Sequence, residues 1–500
     1  MTDPRAQLQR AVRTGVGLDV ADLGSPTIPS ELVRSVLIEE SVLHGGKHLD
    51  PRGLRLTGVT LEGDLDLASI SGLPSLVLGG VTIQGSLDLS YSTISGALNI
   101  EGGAVRAQLD GSGLTVTRHV YICDVDFGHQ AGTRHAGEIL LNKATIGDYL
   151  QLYVDVADVV LSDATVGGGN GEFDGEAVSI GLPGSHFSSV DLNRSSFDSS
   201  VALTGSFDRG ITMRGVRVLG TLDLGSAIVT GSLARGRLTD ETLFVDAIEA
   251  VAETIVLPEE APEGAGIDLT DAAFGRVVVH VVGPENRPVG GRVDATAAWT
   301  LGSLEMINRD ERPEATPVPT MSSNEAAALI AWLPTGQGRG FPVMAWRALA
   351  VALDGEGRES EARWLRIEAA DRYKRATAGS PWARAGRAIT KTTIGHGYSP
   401  FRALAWLGGL WVVATALAVV SWRVGDDAFI NSSGVANPPG LWEYLYALDI
   451  TVSPVGSFQS DIWMPTWWWL ALAFWCLKAA SYALFGLFIA GLTGRAMKAS

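Results

Sequence analysis

The phrase Gly63-Asp64-Leu65-Asp66-Leu67 returns 22 residues later as Gly85-Ser86-Leu87-Asp88-Leu89. It recurs in altered form as Gly96-Ala97-Leu98-Asn99-Ile100 and Gly220-Thr221-Leu222-Asp223-Leu224. Echoes such as Leu76-Val77-Leu78 and Val81-Thr82-Ile83 fall at half that spacing. A short apolar-polar-apolar strand followed by a Gly/Ser corner, repeated in this way, predicts a mainly β chain wound into a β-solenoid. One coil cannot stand alone, because ordering its backbone costs more than its few inward aliphatics return. Only a stack in which each coil packs on its neighbours is stable. Such a rod serves as a scaffold or binding surface, and the expectation turns away from catalysis.

The coils are expected over 50–306. Leu54, Leu56, Val59, Leu61, Leu65, Leu67 and Ile70 make one, and Leu76, Leu78, Val81, Ile83, Leu87, Leu89 and Ile94 the next. The stretch 123–185 is less regular. Order returns with Phe187, Phe197 and Phe207. Residues 1–49 read as a helical cap over the open end of the solenoid. Thr2 or Asp3 is expected to cap a first helix begun by Pro4, with Leu8 and Val12 on one face, and Ser30 to cap a second that Gly45-Gly46 ends.

Beyond the rod the pattern changes. Pro313, Pro317 and Pro319 mark a linker over 307–322, and 323–400 reads as helices with a basic juxtamembrane stretch. Its pair Val343–Leu353 and Glu359–Ala376 resembles one tetratricopeptide unit, which needs a partner surface to cover its face. Residues 401–500 then carry two transmembrane helices. Ala403 to Trp422 has no charge, and Ile462 to Gly494 is interrupted only by Lys478; both are long enough for a hydrocarbon core of about 30 Å. Trp406, Trp422, Trp463, Trp467, Trp468 and Trp469 stand where interfacial aromatic belts form.

Charge sorts the same regions. Residues 1–322 hold 22 Lys/Arg against 43 Asp/Glu, whereas the remainder holds 16 against 12. So acidic a rod repels nucleic acid and anionic headgroups. Between 363 and 402 stand nine Lys/Arg and only two acids, and the loop 423–461 has one Arg against five acids. The positive-inside rule therefore places both termini in the cytoplasm, with the loop outside. Two distant cysteines, Cys123 and Cys476, and no apolar leader after Met1 agree with a cytoplasmic rod.

Few residues suggest chemistry. His119, Cys123, Asp124, Asp126, His129 and His135 match no zinc spacing and read as an exposed cluster. Asp64 with Asp66, and Asp155 with Asp158, recur with the repeat and read as a solvated face. Gly167 to Gly171 lacks the strand and helix of a nucleotide loop. Lys478 is different: a charge in mid-span needs a bundle interior, an acid partner or water. The connecting loop also stands out. Pro438-Pro439-Gly440, a short run from Leu441 to Thr451, and then Val452-Ser453-Pro454-Val455-Gly456 resemble the re-entrant loop of two-helix cation channels. The Thr-Val-Gly-Tyr-Gly filter is absent, however, and an extracellular or interfacial hairpin is the expectation. Lys478, Asp449, Thr451 and Ser453 are the candidate pore or oligomer-interface residues. No catalytic, cofactor or metal-binding residue is assigned.

Several phrases together resemble a family of bacterial, especially actinobacterial, membrane-anchored repeat proteins akin to pentapeptide-repeat solenoids and often labelled "membrane-associated oxidoreductase". They are Asp50-Pro51-Arg52-Gly53-Leu54-Arg55-Leu56, Gly137-Glu138-Ile139-Leu140-Leu141, Ala144-Thr145-Ile146-Gly147, Gly357 to Arg363, Thr393 to Pro400, Tyr444 to Asp449 and Gly491-Leu492-Thr493-Gly494. The resemblance implies a right-handed β-solenoid with a helical cap, a helical hairpin and two C-terminal transmembrane helices, in a bacterial inner membrane. Its oxidoreductase label brings no redox motif with it. The function expected is a non-enzymatic scaffold or sensor without cofactors, homo-oligomeric, contacting the lipid bilayer and a protein partner but no nucleic acid. The alternative is an oligomeric two-helix channel assembled or gated by the rod.

Overall fold

A computed structural model describes residues 3–43, 49–128, 137–168, 176–230, 233, 242–259, 265–282, 287–288, 292–294, 299–308, 332–333, 341–377, 388, 401–425, 428–432, 440–452 and 459–499. They fall into two compact units, Met1–Glu361 and Ala362–Ser500.

The first unit is mainly β, and its strands pair in parallel from coil to coil. Each early coil has four short sides. Leu54, Leu76, Leu98, Val120 and Leu150 stand in register on one. Thr60, Thr82, Ala104 and Asp126 line a second, and Leu65, Leu87, Leu109 and Ile139 a third. Thr93, Thr115, Thr145 and Thr165 form the fourth. The register explains the irregular middle of the sequence. The step from one coil to the next lengthens between Thr115 and Thr145, between Thr165 and Ser196, and between Arg217 and Val251. The added residues include 129–136, 169–175 and 234–241, outside the described residues. Leu56, Leu61, Leu67 and Leu89 fill the interior, joined by the fully buried Phe197 and by Phe187 stacked on Phe207 at 5.2 Å. Alternation along a strand sends one face of each side inward, and the apolar residues take it.

One corner of the coil explains the repeated aspartate. The carboxylates of Asp66, Asp88, Asp110, Asp191 and Asp268 each accept the backbone N–H two residues on, at 2.8–2.9 Å. The next residue turns left-handed, at Ser69, Tyr91, Gly113, Arg194 and Asp271. For a residue with a Cβ that conformation costs roughly 1–2 kcal/mol. Stacking offsets the cost: the N–H of Ser69 donates to Ser90 O, that of Tyr91 to Ser112 O, and that of Arg194 to Arg214 O. The aspartate is therefore a turn-forming residue. Asp64 and Asp66 lie on the exposed side as expected, but Asp246 and Asp268 are buried.

Helices close the end of the stack next to the first coil. Asp3 caps α1 (Pro4–Thr14) by accepting the Arg5 N–H, and Leu8, Ala11 and Val12 are buried. A short α2 (Val20–Leu23) and α3 (Ser30–Ile38) follow. Pro29 holds the cap position of α3, and Ser30 lies inside the helix, where its hydroxyl donates to Gly63 O at 3.3 Å, so the expected serine cap does not form. Gly45-Gly46 lies outside the described residues. Thr27–Pro29 pairs with Thr60–Glu62 of the first coil, and the buried Glu40 receives both ends of the Arg13 guanidinium. After the coils, α4 (Val343–Gly355) packs on strand Thr300–Asn308: Trp299 Nε1 donates to Ala345 O at 2.9 Å. Helix thus lies at both ends of the described stack, the places where a strand edge would otherwise stand open.

The second unit is helical. After α5 (Glu359–Thr377) it holds α6 (Phe401–Val424), α7 (Trp442–Thr451), α8 (Gln459–Ile462) and α9 (Trp468–Ala499). Segments Arg402–Val424 and Trp468–Ile489 are long and apolar enough to cross a membrane. The second apolar helix starts at Trp468 instead of Ile462, because Trp463–Pro465 pairs antiparallel with Phe429–Asn431. Trp463 is consequently buried, while Trp468 remains 77% exposed.

Candidate functional site

In the second unit the connecting loop folds back between the two long helices. Helix α7 packs against both α6 and α9. Its first turn is fixed by aromatic contacts, with Trp442 at 4.6 Å from Trp463, 5.2 Å from Trp422 and 5.3 Å from Phe429. One turn on, Tyr446 meets Phe474 edge to face at 5.1 Å. At its last turn the Ser481 hydroxyl donates to Thr451 O. Ser481 lies about 20 Å along α9 from Trp468 at about 1.5 Å rise per residue. The short helix therefore runs beside α9 from its first turn to its middle, deeper than the hairpin expected from sequence.

The return is fixed as well. Asp449, 6% exposed, accepts the Ser460 N–H at 2.9 Å, so the start of α8 lies beside the last turn of α7. The chain then climbs to Trp463. Ser453 lies outside the described residues. Of the other three candidates, Asp449 and Thr451 share the tip of this fold, and Lys478 lies one turn from Ser481 on α9. Lys478 is half-buried and makes no ion pair with a described residue. Thr451 Oγ1 donates to Ala447 O at 2.8 Å, and Val452 N–H to Leu448 O at 2.7 Å. Sequence reasoning missed Ser481 and the aromatic box. A lone serine three residues after a mid-span lysine was the available signal for the first.

The rod's candidates come apart. His129 and His135 lie outside the described residues, as do Gly169 to Gly171. His119 stacks on Tyr149 at 4.6 Å, and burial lowers its imidazole pKa. Burial likewise raises the Cys123 thiol, which disfavours the thiolate a metal would need. Asp126 pairs with Arg106 at 3.0 Å, so the chain spends this carboxylate on a neighbouring coil. Among the described residues no three His, Cys, Asp or Glu side chains gather to hold a metal. Asp155 accepts the His186 N–H at 2.9 Å, and Asp158 accepts the Ser189 hydroxyl at 2.5 Å, both ties between coils. Comparison with known protein families, curated proteins and solved structures gives no match, and the reading of this chain rests on its own geometry.

Proposed function

We propose that this chain is a non-enzymatic membrane protein: an acidic repeat rod that binds a protein partner, carried by a C-terminal unit in the lipid bilayer. The observation that carries this reading is the outer surface of the two long helices. Leu404, Val412, Val413, Val420, Leu472 and Trp475 are all exposed, a surface that water disfavours and hydrocarbon does not. The basic stretch before α6 supports a cytoplasmic rod and termini by the positive-inside rule, in what we take to be a bacterial inner membrane. The rod's acidity keeps it from nucleic acid and anionic headgroups, so its partner is a protein. Its coils are taken as right-handed, the hand nearly all parallel β crossovers adopt. Deleting 403–500 should move the rod to the soluble fraction. A truncated chain that stays with the membrane through a high-salt wash would defeat the anchoring reading.

A second reading has a specific observation behind it. A short helix between two long ones, reaching mid-height and returning, is the arrangement that lines a pore when copies assemble around an axis. On this reading the chain is a homo-oligomeric channel and the rod assembles or gates it. The mass of the detergent-solubilised protein tests it; a monomer excludes it.

A further inference from the structure

We propose that Lys478 makes the membrane unit selective for small inorganic anions: the ammonium groups of neighbouring copies face a shared aqueous path and hold chloride-like ions at mid-depth. The inference rests on the pore reading and names the ion such a pore takes.

Lys478 lies near the middle of Trp468–Ile489. At about 1.5 Å per residue it is roughly 15 Å from either end, farther than a lysine stem carries its charge toward an interface. Hydrocarbon does not tolerate it there without an acid partner, water or a cavity. The span 403–422 contributes no acid, and no described residue forms an ion pair with Lys478.

Its position on α9 says where the charge emerges. Leu470, Phe474 and Ser481 are buried on the side that packs against α6 and α7, whereas Leu472, Trp475 and Tyr482 are open on the other. Lys478 lies at the seam between those sides, half-buried. A copy packed along that seam would complete the surroundings of the ammonium.

Three carbonyls at the tip of α7 are already engaged and unavailable to a cation. A potassium-type site replaces the hydration shell with free backbone carbonyls. Here Ala447 O, Leu448 O and Thr451 O already accept from Thr451 Oγ1, Val452 N–H and Ser481 Oγ. At this level the Asp449 carboxylate is engaged by the Ser460 N–H, whereas Lys478 has no described partner, and rings of Lys or Arg are how pores select anions.

The test is the zero-current potential of the purified full-length protein in planar bilayers under a KCl gradient. It should lie on the chloride side. Lys478→Glu should move it to the potassium side, and Lys478→Arg should leave it in place. Should Lys478→Glu fail to assemble, Lys478→Gln should still shrink the chloride preference. A wild-type potential on the potassium side, or one unmoved by Lys478→Glu and Lys478→Gln, overturns anion selectivity while leaving a pore. No current from the wild-type protein at any voltage overturns the pore reading, and the proposal with it.

Discussion

The two units of this chain are built inside out with respect to each other. In the rod, aliphatics such as Leu65, Leu87 and Leu109 stack inside, while carboxylates such as Asp66 lie at the corners outside. In the C-terminal unit, Leu472 and Trp475 are outside, and Asp449, Thr451 and Ser481 are buried. The same hydrogen-bonding chemistry serves both, and on the proposed membrane reading the solvent differs. Water accepts the rod's polar corners and forces its leucines inward; a bilayer accepts leucine and forces each polar group to find a partner in the protein.

The comparison can be broken most severely at Leu87, which is fully buried. Leu87→Asp places a carboxylate in the stack without a partner and should cost more than about 4 kcal/mol, leaving the rod insoluble or protease-sensitive. The same change at Leu472, 56% exposed, should leave the rod's thermal transition unmoved and act only on recovery in the membrane. Equal loss of rod structure from both would erase the distinction. Next in size is Arg13→Ala, which takes two guanidinium hydrogen bonds from the buried Glu40 carboxylate. A drop in the rod's Tm is expected, and removal of both partners should restore part of it.

A smaller effect sharpens the picture by its sign. Burial raises the pKa of Asp268, so the folded rod favours its neutral form. The folded state then binds more protons than the unfolded one between the two pKa values. Stability is highest below the unfolded aspartate value of about 3.9 and declines as pH rises through the window above it. Asp268→Asn should therefore raise Tm near pH 7 more than near pH 3.5, below the unfolded aspartate value, while its side-chain oxygen still accepts the Thr270 N–H. A variant less stable at both pH values would mean the carboxylate is needed charged. Smallest is Ser481→Ala, which removes the hydroxyl donated to Thr451 O. Loss of about 1 kcal/mol is expected, visible as faster amide exchange in 448–452 with the rod unchanged.

Legibility follows the same division. In the rod the inward set could be read almost residue by residue, because strand alternation and coil length fix which positions repeat. The corner aspartates were seen but their work was not: an acceptor for an N–H two residues on looks, in sequence, like any surface acid. In the C-terminal unit the apolar runs were plain. The depth of α7 was not, since Tyr446 against Phe474 and Ser481 against Thr451 are contacts between segments far apart in the chain.

By itself, the sequence determined a β-stack with a helical N-terminal cap and two helices long enough for a bilayer. Periodicity and hydropathy are local properties, and each coil or helix expresses them through its own few neighbours. Only the tertiary structure decided which carboxylates are buried, that Ser30 bonds to the first coil and does not cap its helix, and that the loop between the long helices folds back along them to mid-height. Those outcomes depend on which distant groups meet and on whether a polar atom finds a partner there, and no local pattern records that.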